Sequence, residues 1–184
     1  MVAYQDFVAL GQSTDSEDRG RAARLAAKAY LGHHGPADEH AALYAALICF
    51  LDDPSVRVRG ALAYGLLHAH DAPRPVLLAL LHDSPVIARA VVQYSPALVD
   101  ADLMALIPTS DEPMRHAVAM REHLGPRVAA ALIGTGDRSL ILKLLDRLQA
   151  EFDLAYMFIT HDLATVKPIA DEVVVMKDGR VVEK

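Results

Sequence analysis

The sequence contains no tryptophan, and tyrosine and phenylalanine raise the aromatic share to only 5% of its 184 residues. Alanine and leucine therefore supply much of the apolar content, and both favour helices. Because 53% of the residues are hydrophobic, against a usual share of about 45–50%, the chain has enough apolar surface to form a core. This composition favours a mainly α-helical protein.

Cysteine is almost absent, since Cys49 is the only one. A single cysteine excludes an intrachain disulfide and is typical of a reducing compartment. The run around it, ALICFL, is apolar, so we expect a buried structural thiol rather than a nucleophile. The sequence starts without a basic segment and a long apolar run, and no window has about 18 uncharged apolar residues. We therefore expect a soluble, cytoplasmic protein without direct membrane insertion.

Basic residues are in deficit, because 18 Lys and Arg stand against 24 Asp and Glu, for a net charge of −6. This balance argues against nucleic acid as the main partner, since phosphate binding needs a basic face. Lysine is especially rare before residue 139, where Lys28 is the only one, whereas four lysines follow it. This shift predicts a boundary between a domain at 1–138 and another at 139–184.

Prolines and capping residues recur at helical intervals in the first part. Thr14 and Glu17 form a capping-box pattern. A capping residue precedes a proline at three places: Asp53-Pro54, Ser84-Pro85 and Ser95-Pro96. Further helices are expected to begin at or after four other prolines: Pro36, Pro73, Pro113 and Pro126. These signals predict helices of about 8–16 residues, with no strand before residue 153.

A repeat with a period of thirty residues lies within this helical part. Asp53 is followed six residues later by Arg59, Asp83 is followed likewise by Arg89, and a weaker copy begins at Asp111. A period near 30 with two helices per unit is typical of a stacked solenoid, because one helix pair cannot bury its apolar face alone. We interpret the Asp and Arg residues as inter-helix ion pairs and caps rather than a ligand site.

These units resemble HEAT-type repeats, whose Asp-Pro-x-x-Val-Arg start matches Asp53, Pro54, Val58 and Arg59 with an offset of one residue. Residues 1–138, including SPALVDADLMALI and GPRVAAALIGTGD, are similar to an uncharacterised bacterial HEAT-like family. The resemblance implies an α-solenoid of stacked helix pairs. Such extended surfaces bind protein partners, so the first hypothesis is a non-catalytic protein-interaction module.

The last part has a different pattern. It predicts a helix at 140–152, a strand at 155–160, a helix at 163–170 and a strand at 173–176. Asp178-Gly179 predicts a hairpin turn before a short strand at Val181-Val182. Strand, helix and strand in this order indicate a βαβ unit with parallel strands. Because a small sheet exposes an apolar edge, we expect it to dock on the helical part or to self-associate into a homo-oligomer. The helix at 140–152 fits either part, as the next member of the helical array or as the first element of the tail.

Residues 141–184, which include the segment Ile159-Thr160-His161-Asp162, resemble the C-terminal switch-histidine segment of ABC-transporter ATP-binding proteins of the peptide-importer type. The resemblance implies that His161 would contact the terminal phosphate of a nucleotide, while Thr160 and Asp162 would shape the turn. His161 is therefore the one candidate cofactor-binding residue, and it rests on the resemblance alone.

The remaining parts of an ATPase are missing from the sequence. There is no G-x-x-x-x-G-K-[ST] loop, no Leu-Ser-Gly-Gly signature and no acidic Walker B segment. Gly134-Thr135-Gly136 lacks the lysine, and we interpret it as a helix end followed by a turn. We expect no enzyme activity, no catalytic residue and no bound cofactor, and we interpret His161 as structural or vestigial.

The nine histidines do not have the spacing of a metal site. His68 and His70 are about 200° apart on a helix, and His33-His34 precedes Gly35-Pro36 as at a helix end. Without Cys-x-x-Cys or His-Glu-x-x-His we predict no metal, and without G-x-S-x-G a Ser/His/Asp triad has no support. Two alternatives to the interaction module stay open. The chain is a nucleotide-linked partner of an ABC ATPase, or its last part follows a fusion junction and has no evolved role.

Overall fold

A computed structural model describes residues 10–153, 155, 157, 159–162, 164 and 170–183. The chain divides into two compact units, Met1–Thr135 and Gly136–Lys184. The described part of the first unit consists of helices and turns. The helices are α1 (Ser16–Leu31), α2 (Ala37–Leu51), α3 (Val56–Leu66), α4 (Arg74–Leu80), α5 (Pro85–Tyr94), α6 (Asp100–Leu106), α7 (Glu112–Ala119) and α8 (Pro126–Gly134). A 3₁₀ turn, Ile107–Thr109, follows α6.

The helices of the first unit form two layers, because most of them stack on the helix two places along the chain. In the first layer α1 packs on α3, α3 on α5 and α5 on α7. In the second layer α2 packs on α4, and α6 on α8. The core between them is aliphatic, with Leu47, Leu62, Leu77 and Leu132 fully buried. The absence of tryptophan is thus compensated by close packing of small and branched side chains.

Glycines allow the closest approach in the first layer. A Cβ atom added at Gly65 in α3 would lie 2.7 Å from the Cβ of Ala27 in α1. At the other end of the same contact, a Cβ at Gly20 would lie 3.5 Å from the Cβ of Ala61. The alanine-rich sequence of α1 therefore serves a helix–helix contact that larger side chains would prevent.

The prediction of a mainly helical chain is confirmed, as is the absence of strands over the described residues before 153. Among the predicted helix starts, Ser84-Pro85 is confirmed, since α5 begins at Pro85 with Ser84 at its N-cap. The starts predicted at the four other prolines are also confirmed by α2, α4, α7 and α8. Fixed proline dihedrals explain why these positions are readable from sequence.

Three predicted starts are wrong in position. Asp15, not Thr14, caps α1 by accepting a hydrogen bond from the backbone N–H of Glu17 at 2.9 Å. Helix α3 begins at Val56, beyond Asp53-Pro54, because an arginine binds the Asp53 carboxylate. The segment after Ser95-Pro96 becomes helical only at Asp100, because Ser95 is the C-cap of α5. Only at Asp53 does a contact between distant residues accompany the shift, whereas Asp15 and Ser95 act through local hydrogen bonds.

The second unit contains a helix and a hairpin in its described residues. Helix α9 (Arg138–Phe152) begins after Asp137, whose carboxylate accepts from the N–H of Leu140 at 3.2 Å. Strands β1 (Val175–Lys177) and β2 (Arg180–Glu183) pair in antiparallel orientation around Asp178-Gly179. Both turn residues have positive φ, 50° and 72°, as the predicted two-residue hairpin requires.

The predicted βαβ unit is wrong where the structure describes it. Ala155, Met157, Ile159 and Thr160 are not in a strand, and the sheet of the described residues is the two-stranded hairpin alone. A strand needs a neighbour for its backbone hydrogen bonds, and only the hairpin supplies one locally. The strand predicted at 173–176 begins two residues later, at Val175. Most of the helix predicted at 163–170 lies outside the described residues.

No helix in the described part of the chain combines the length and apolar character needed to cross a membrane.

Candidate interaction surface and switch-histidine segment

Bidentate arginine–aspartate pairs connect successive units of the repeat. Arg19 of α1 donates to both carboxylate oxygens of Asp53, with Nε–Oδ2 at 2.7 Å and Nη2–Oδ1 at 3.2 Å. Arg59 of α3 does the same to Asp83, at 2.6 and 3.0 Å, and also donates to the Asp53 carbonyl oxygen at 2.7 Å. The predicted inter-helix ion pairs are therefore confirmed, and each arginine pairs with the aspartate of the following unit.

The carboxylates of these pairs are held in their charged form. The Arg19 guanidinium lowers the pKa of Asp53, and the N–H of Ser55 lowers it further. The Arg59 guanidinium lowers the pKa of Asp83 in the same way, against the opposing effect of partial burial. Because several donors converge on these oxygens, the pairs fix the relative position of the helices that they join.

The repeat does not extend to the third copy. Arg89 donates to the Pro85 carbonyl oxygen of its own helix at 3.0 Å. Asp111 caps α7 by accepting from the N–H of Met114 at 2.9 Å. A further bidentate pair, Arg74–Asp102, joins α4 to α6 and was not predicted, because the two residues fall outside the thirty-residue period.

Arg121 is buried at the C-terminal end of α5. Arg121 donates to the carbonyl oxygens of Val92 and Ser95, the latter at 2.9 Å, and is 7% exposed. Burial lowers the pKa of its guanidinium. The sequence around it, MREHLGP, has no pattern that marks an arginine as buried. Its role follows from the orphan carbonyls at a helix C-terminus, which need donors.

Exposed apolar residues recur with the thirty-residue period. Tyr64 of α3 is 67% exposed and Tyr94 of α5 is 50% exposed. Val56 and Val86, which also lie thirty residues apart, are exposed just over two helix turns before these tyrosines. His68 meets the Tyr94 ring edge-on, with centroids 5.9 Å apart. We call the exposed side of α1, α3 and α5 the outer face.

The histidines predicted not to bind metal make ring contacts. His40 stacks on Tyr30 with centroids 4.6 Å apart, and His33 lies 5.9 Å from His40. The His33 Nε2 atom is 3.1 Å from the carbonyl oxygen of Pro36. These contacts tie the turn between α1 and α2, so the pairing of histidine with proline at a helix end is explained by local structure.

Cys49 is exposed, so the prediction of a buried thiol is wrong. Helix α2 buries Leu43, Leu47 and Phe50, and Cys49 follows Leu47 by two residues, about 200° around the helix. The apolar run around Cys49 does not indicate burial, because helix periodicity rather than local composition decides which residues face the core.

His161 lies on the surface of a tight turn in the second unit. The N–H of Asp162 donates to the Thr160 Oγ1 atom at 3.0 Å, and the N–H of Ala164 donates to the Asp162 Oδ1 atom at 3.2 Å. Arg138 of α9 donates to Asp162 Oδ2 at 3.2 Å. Thr160 and Asp162 thus shape the turn, and the His161 imidazole is exposed between them. Contact of His161 with a phosphate stays a prediction.

Residues 87–178 match a bacterial family described as "Uncharacterised protein conserved in bacteria (DUF2336)". The chain belongs to this family. The DUF2336 match begins in α5, crosses the division between the two units and ends in the hairpin turn. The predicted similarity to an uncharacterised bacterial family is therefore confirmed, although its extent differs from the predicted 1–138.

Short segments of this DUF2336 member are also similar to ATP-binding proteins of peptide transport. It is 44% identical over 75 residues to the dipeptide transport ATP-binding protein DppF of Escherichia coli, covering 38% of this chain and 22% of that protein. It is 51% identical over 43 residues to the peptidoglycan transport ATP-binding protein YejF of Agrobacterium fabrum, covering 23% and 8%. The chain thus spans less than a quarter of these relatives, and no solved structure matches it.

Proposed function

We propose that this chain is a non-catalytic protein-interaction module built from HEAT-like helical repeats. The observation that carries the proposal is the two-layer stack, in which bidentate Arg19–Asp53 and Arg59–Asp83 pairs join successive units. Stacks of this kind expose a long helical surface, and such surfaces bind other proteins. The exposed tyrosines of the outer face support the same function, since tyrosine is enriched where proteins meet.

Capture of a partner from a bacterial lysate, followed by titration of the purified partner, tests the module. We expect saturable binding that persists with purified components. A chain that retains no protein through purification would contradict the proposal.

A second function is favoured by the similarity to peptide-transport ATP-binding proteins. Here the second unit would regulate an ABC-type ATPase by presenting His161 to a nucleotide bound on that partner. Its support is the exposed imidazole in a turn fixed by Thr160 and Asp162. The given sequence contains no G-x-x-x-x-G-K-[ST] loop, so in this proposal the partner supplies the nucleotide.

The rate of ATP hydrolysis by a peptide-importer ATP-binding protein separates the two functions. The isolated chain with ATP and Mg²⁺ is expected to give no binding heat under either proposal. In the regulatory proposal, the chain changes the hydrolysis rate of a peptide-importer ATP-binding protein, and His161→Ala removes the change. His123→Ala, at an exposed histidine of the first unit, is the matched control. An unchanged rate contradicts the regulatory role and leaves the interaction module as the better proposal.

A junction without an evolved role is the least supported alternative. The family match covers residues on both sides of the division at 135 and 136. A continuous match across that division favours a second unit that belongs to the protein.

A further inference from the structure

Charge is unevenly divided between the two helix layers. Helices α1, α3 and α5 of the first layer contain seven basic residues and two acidic ones: Arg19, Arg21, Arg24, Lys28, Arg57, Arg59 and Arg89, against Glu17 and Asp18. Helices α2, α4 and α6 of the second layer contain one basic residue and four acidic ones: Arg74, against Asp38, Glu39, Asp100 and Asp102. The first layer is therefore a basic part of a chain whose net charge is −6.

The cations of α1 lie on the outer face. The side of α1 toward the core is a stripe of alanines: Ala22, Ala23, Ala26 and Ala27. Arg21, Arg24 and Lys28 lie on the opposite, exposed side of the helix. Arg24 also borders α3, because a Cβ atom added at Gly65 would lie 3.6 Å from the Arg24 Cα atom. Since Tyr64 precedes Gly65, Arg24 and Tyr64 flank the same inter-helix contact.

Most cations of the first layer already have a carboxylate. Arg19 and Arg59 form the inter-unit pairs, and Arg21 and Arg57 share Glu17 at 3.1 and 3.3 Å. For Arg24, Lys28 and Arg89 the described residues provide no carboxylate partner, although Arg89 donates to the Pro85 carbonyl oxygen. Arg24 and Lys28 are exposed on α1, Tyr64 is exposed on α3, and His68 meets the exposed ring of Tyr94 on α5.

We propose that the outer face binds an acidic peptide segment of a protein partner, with carboxylates on Arg24 and Lys28 and apolar side chains on Tyr64 and Tyr94. This proposal rests on the interaction module proposed above and names its partner chemistry. An arginine guanidinium binds a carboxylate through two parallel hydrogen bonds, and the lysine adds a point charge. Exposed tyrosine rings bury apolar area at low entropic cost when a partner covers them.

A peptide fits this face better than a nucleic acid. Polyphosphate binding gains from many cations along a strand, whereas only three cations of α1, α3 and α5 lack a carboxylate among the described residues: Arg24, Lys28 and Arg89. The acidic second layer and the net charge of −6 repel a polyanion at longer range. Helix axes are about 8–10 Å apart, so about ten extended residues cross the three helices at about 3.3 Å each, with a margin at both ends.

Fluorescence anisotropy with labelled peptides of about ten residues tests the face. The probe alternates Glu with Leu, and its control replaces every Glu by Gln. We expect the Glu peptide to bind about tenfold more tightly, and this preference to fall as salt is raised. Arg24→Glu is expected to weaken Glu-peptide binding about tenfold, whereas Arg127→Glu, the same charge change on an exposed second-layer residue, leaves it unchanged.

Tyr64→Ala is expected to weaken both peptides, since the ring contacts the leucines that they share. Circular dichroism melting of each variant confirms that these exposed positions leave the fold intact. Equal affinity for the Glu and Gln peptides, or equal effects of Arg24→Glu and Arg127→Glu, would overturn the assignment. Tighter binding of a single-stranded DNA of matched length than of the Glu peptide would overturn it in favour of nucleic acid.

Failure of the proposed peptide-binding face can be distinguished from failure of the interaction module. If the chain retains a purified partner but Arg24→Glu does not weaken that complex, the face is wrong and the module stands. If no partner survives purification, the module fails whatever the peptides do.

Discussion

At the scale of single residues, the stability of the first unit depends on charges whose partners lie far away in sequence. Arg59 reaches Asp83 across twenty-four residues and also donates to the Asp53 carbonyl oxygen. Both side chains are mostly shielded from solvent, at 20% and 7% exposure. A pair in this position is more costly to break than an exposed one, because the partner is left without its counter-charge.

Asp83→Asn is therefore expected to lower the free energy of unfolding by about 1–2 kcal/mol, since the neutral amide leaves Arg59 without its anion. Asp71→Asn, at an exposed aspartate, is the control and should change it by less than about 0.5 kcal/mol. Urea denaturation followed by circular dichroism measures both. Equal effects of the two substitutions would show that the pair contributes nothing beyond a surface charge.

The same pairs predict a dependence on pH. Because their arginines lower the pKa values of Asp53 and Asp83, the contribution is complete above the unfolded value of about 3.9. It is lost as the pH falls through the lower folded values. The stability difference between the wild type and Asp83→Asn should thus be present at neutral pH and shrink in strong acid. Urea titrations at neutral pH and near pH 3 measure it, and a constant difference would contradict the linkage.

Arg121→Met is expected to destabilise the first unit by about 2–4 kcal/mol, because the carbonyl oxygens of Val92 and Ser95 lose their donors in a buried site. Arg127→Met changes an exposed arginine in the same way and should be nearly neutral. Thermal and urea unfolding of the two variants measure how much more the substitution costs at the buried arginine than at the exposed one. A small effect at Arg121 would mean that water satisfies these carbonyls.

At the scale of elements, the helices are specified by two kinds of signal. Proline and capping residues mark where α2, α5, α7 and α8 begin, and periodic apolar residues mark the buried sides. The close contact between α1 and α3 depends on a third feature, the absence of side chains. Gly65 is in a helix, where glycine is intrinsically unfavourable, so its presence reflects the neighbouring helix.

Gly65→Ala is expected to destabilise the protein by about 1–3 kcal/mol, although alanine is the better helix former. The reason is that the new Cβ atom would lie 2.7 Å from the Cβ of Ala27. Gly134→Ala, at the end of α8, meets no atom within 4 Å and should be neutral or stabilising by up to about 1 kcal/mol. Opposite signs in urea unfolding support the contact, and two stabilising substitutions would exclude it.

The element scale also shows what periodicity alone does not reveal. The hairpin at Asp178-Gly179 is predictable, because the turn residues fix the backbone locally. The strand predicted at 155–160 is not found at its described residues, since its expected neighbour is not adjacent in sequence. The exposure of Cys49, by contrast, follows from the helical period, because this residue lies about 200° around α2 from the buried Leu47.

At the scale of the whole molecule, the two units differ in how much they bury. The first unit has a continuous aliphatic core, whereas Val181 and Val182 of the hairpin are exposed. A chain ending after Phe152 should therefore keep its unfolding free energy within about 1 kcal/mol and its cooperative transition. Calorimetry of the full and the shortened chain measures their unfolding, and sedimentation checks that both have the same oligomeric state. A large loss of stability would show that residues 153–184 support the helices.

The sequence by itself determined the helical class, the thirty-residue repeat, several helix starts and the hairpin, because these depend on residues close together in the chain. Tertiary structure alone decided that Arg59 pairs with the aspartate of the next unit, that Arg121 is buried and that the backbone of Arg24 borders Gly65 of α3. These features depend on which helices stack and at what distance. That choice is made by the fit of small side chains such as Ala27 and Gly65, which no local pattern records.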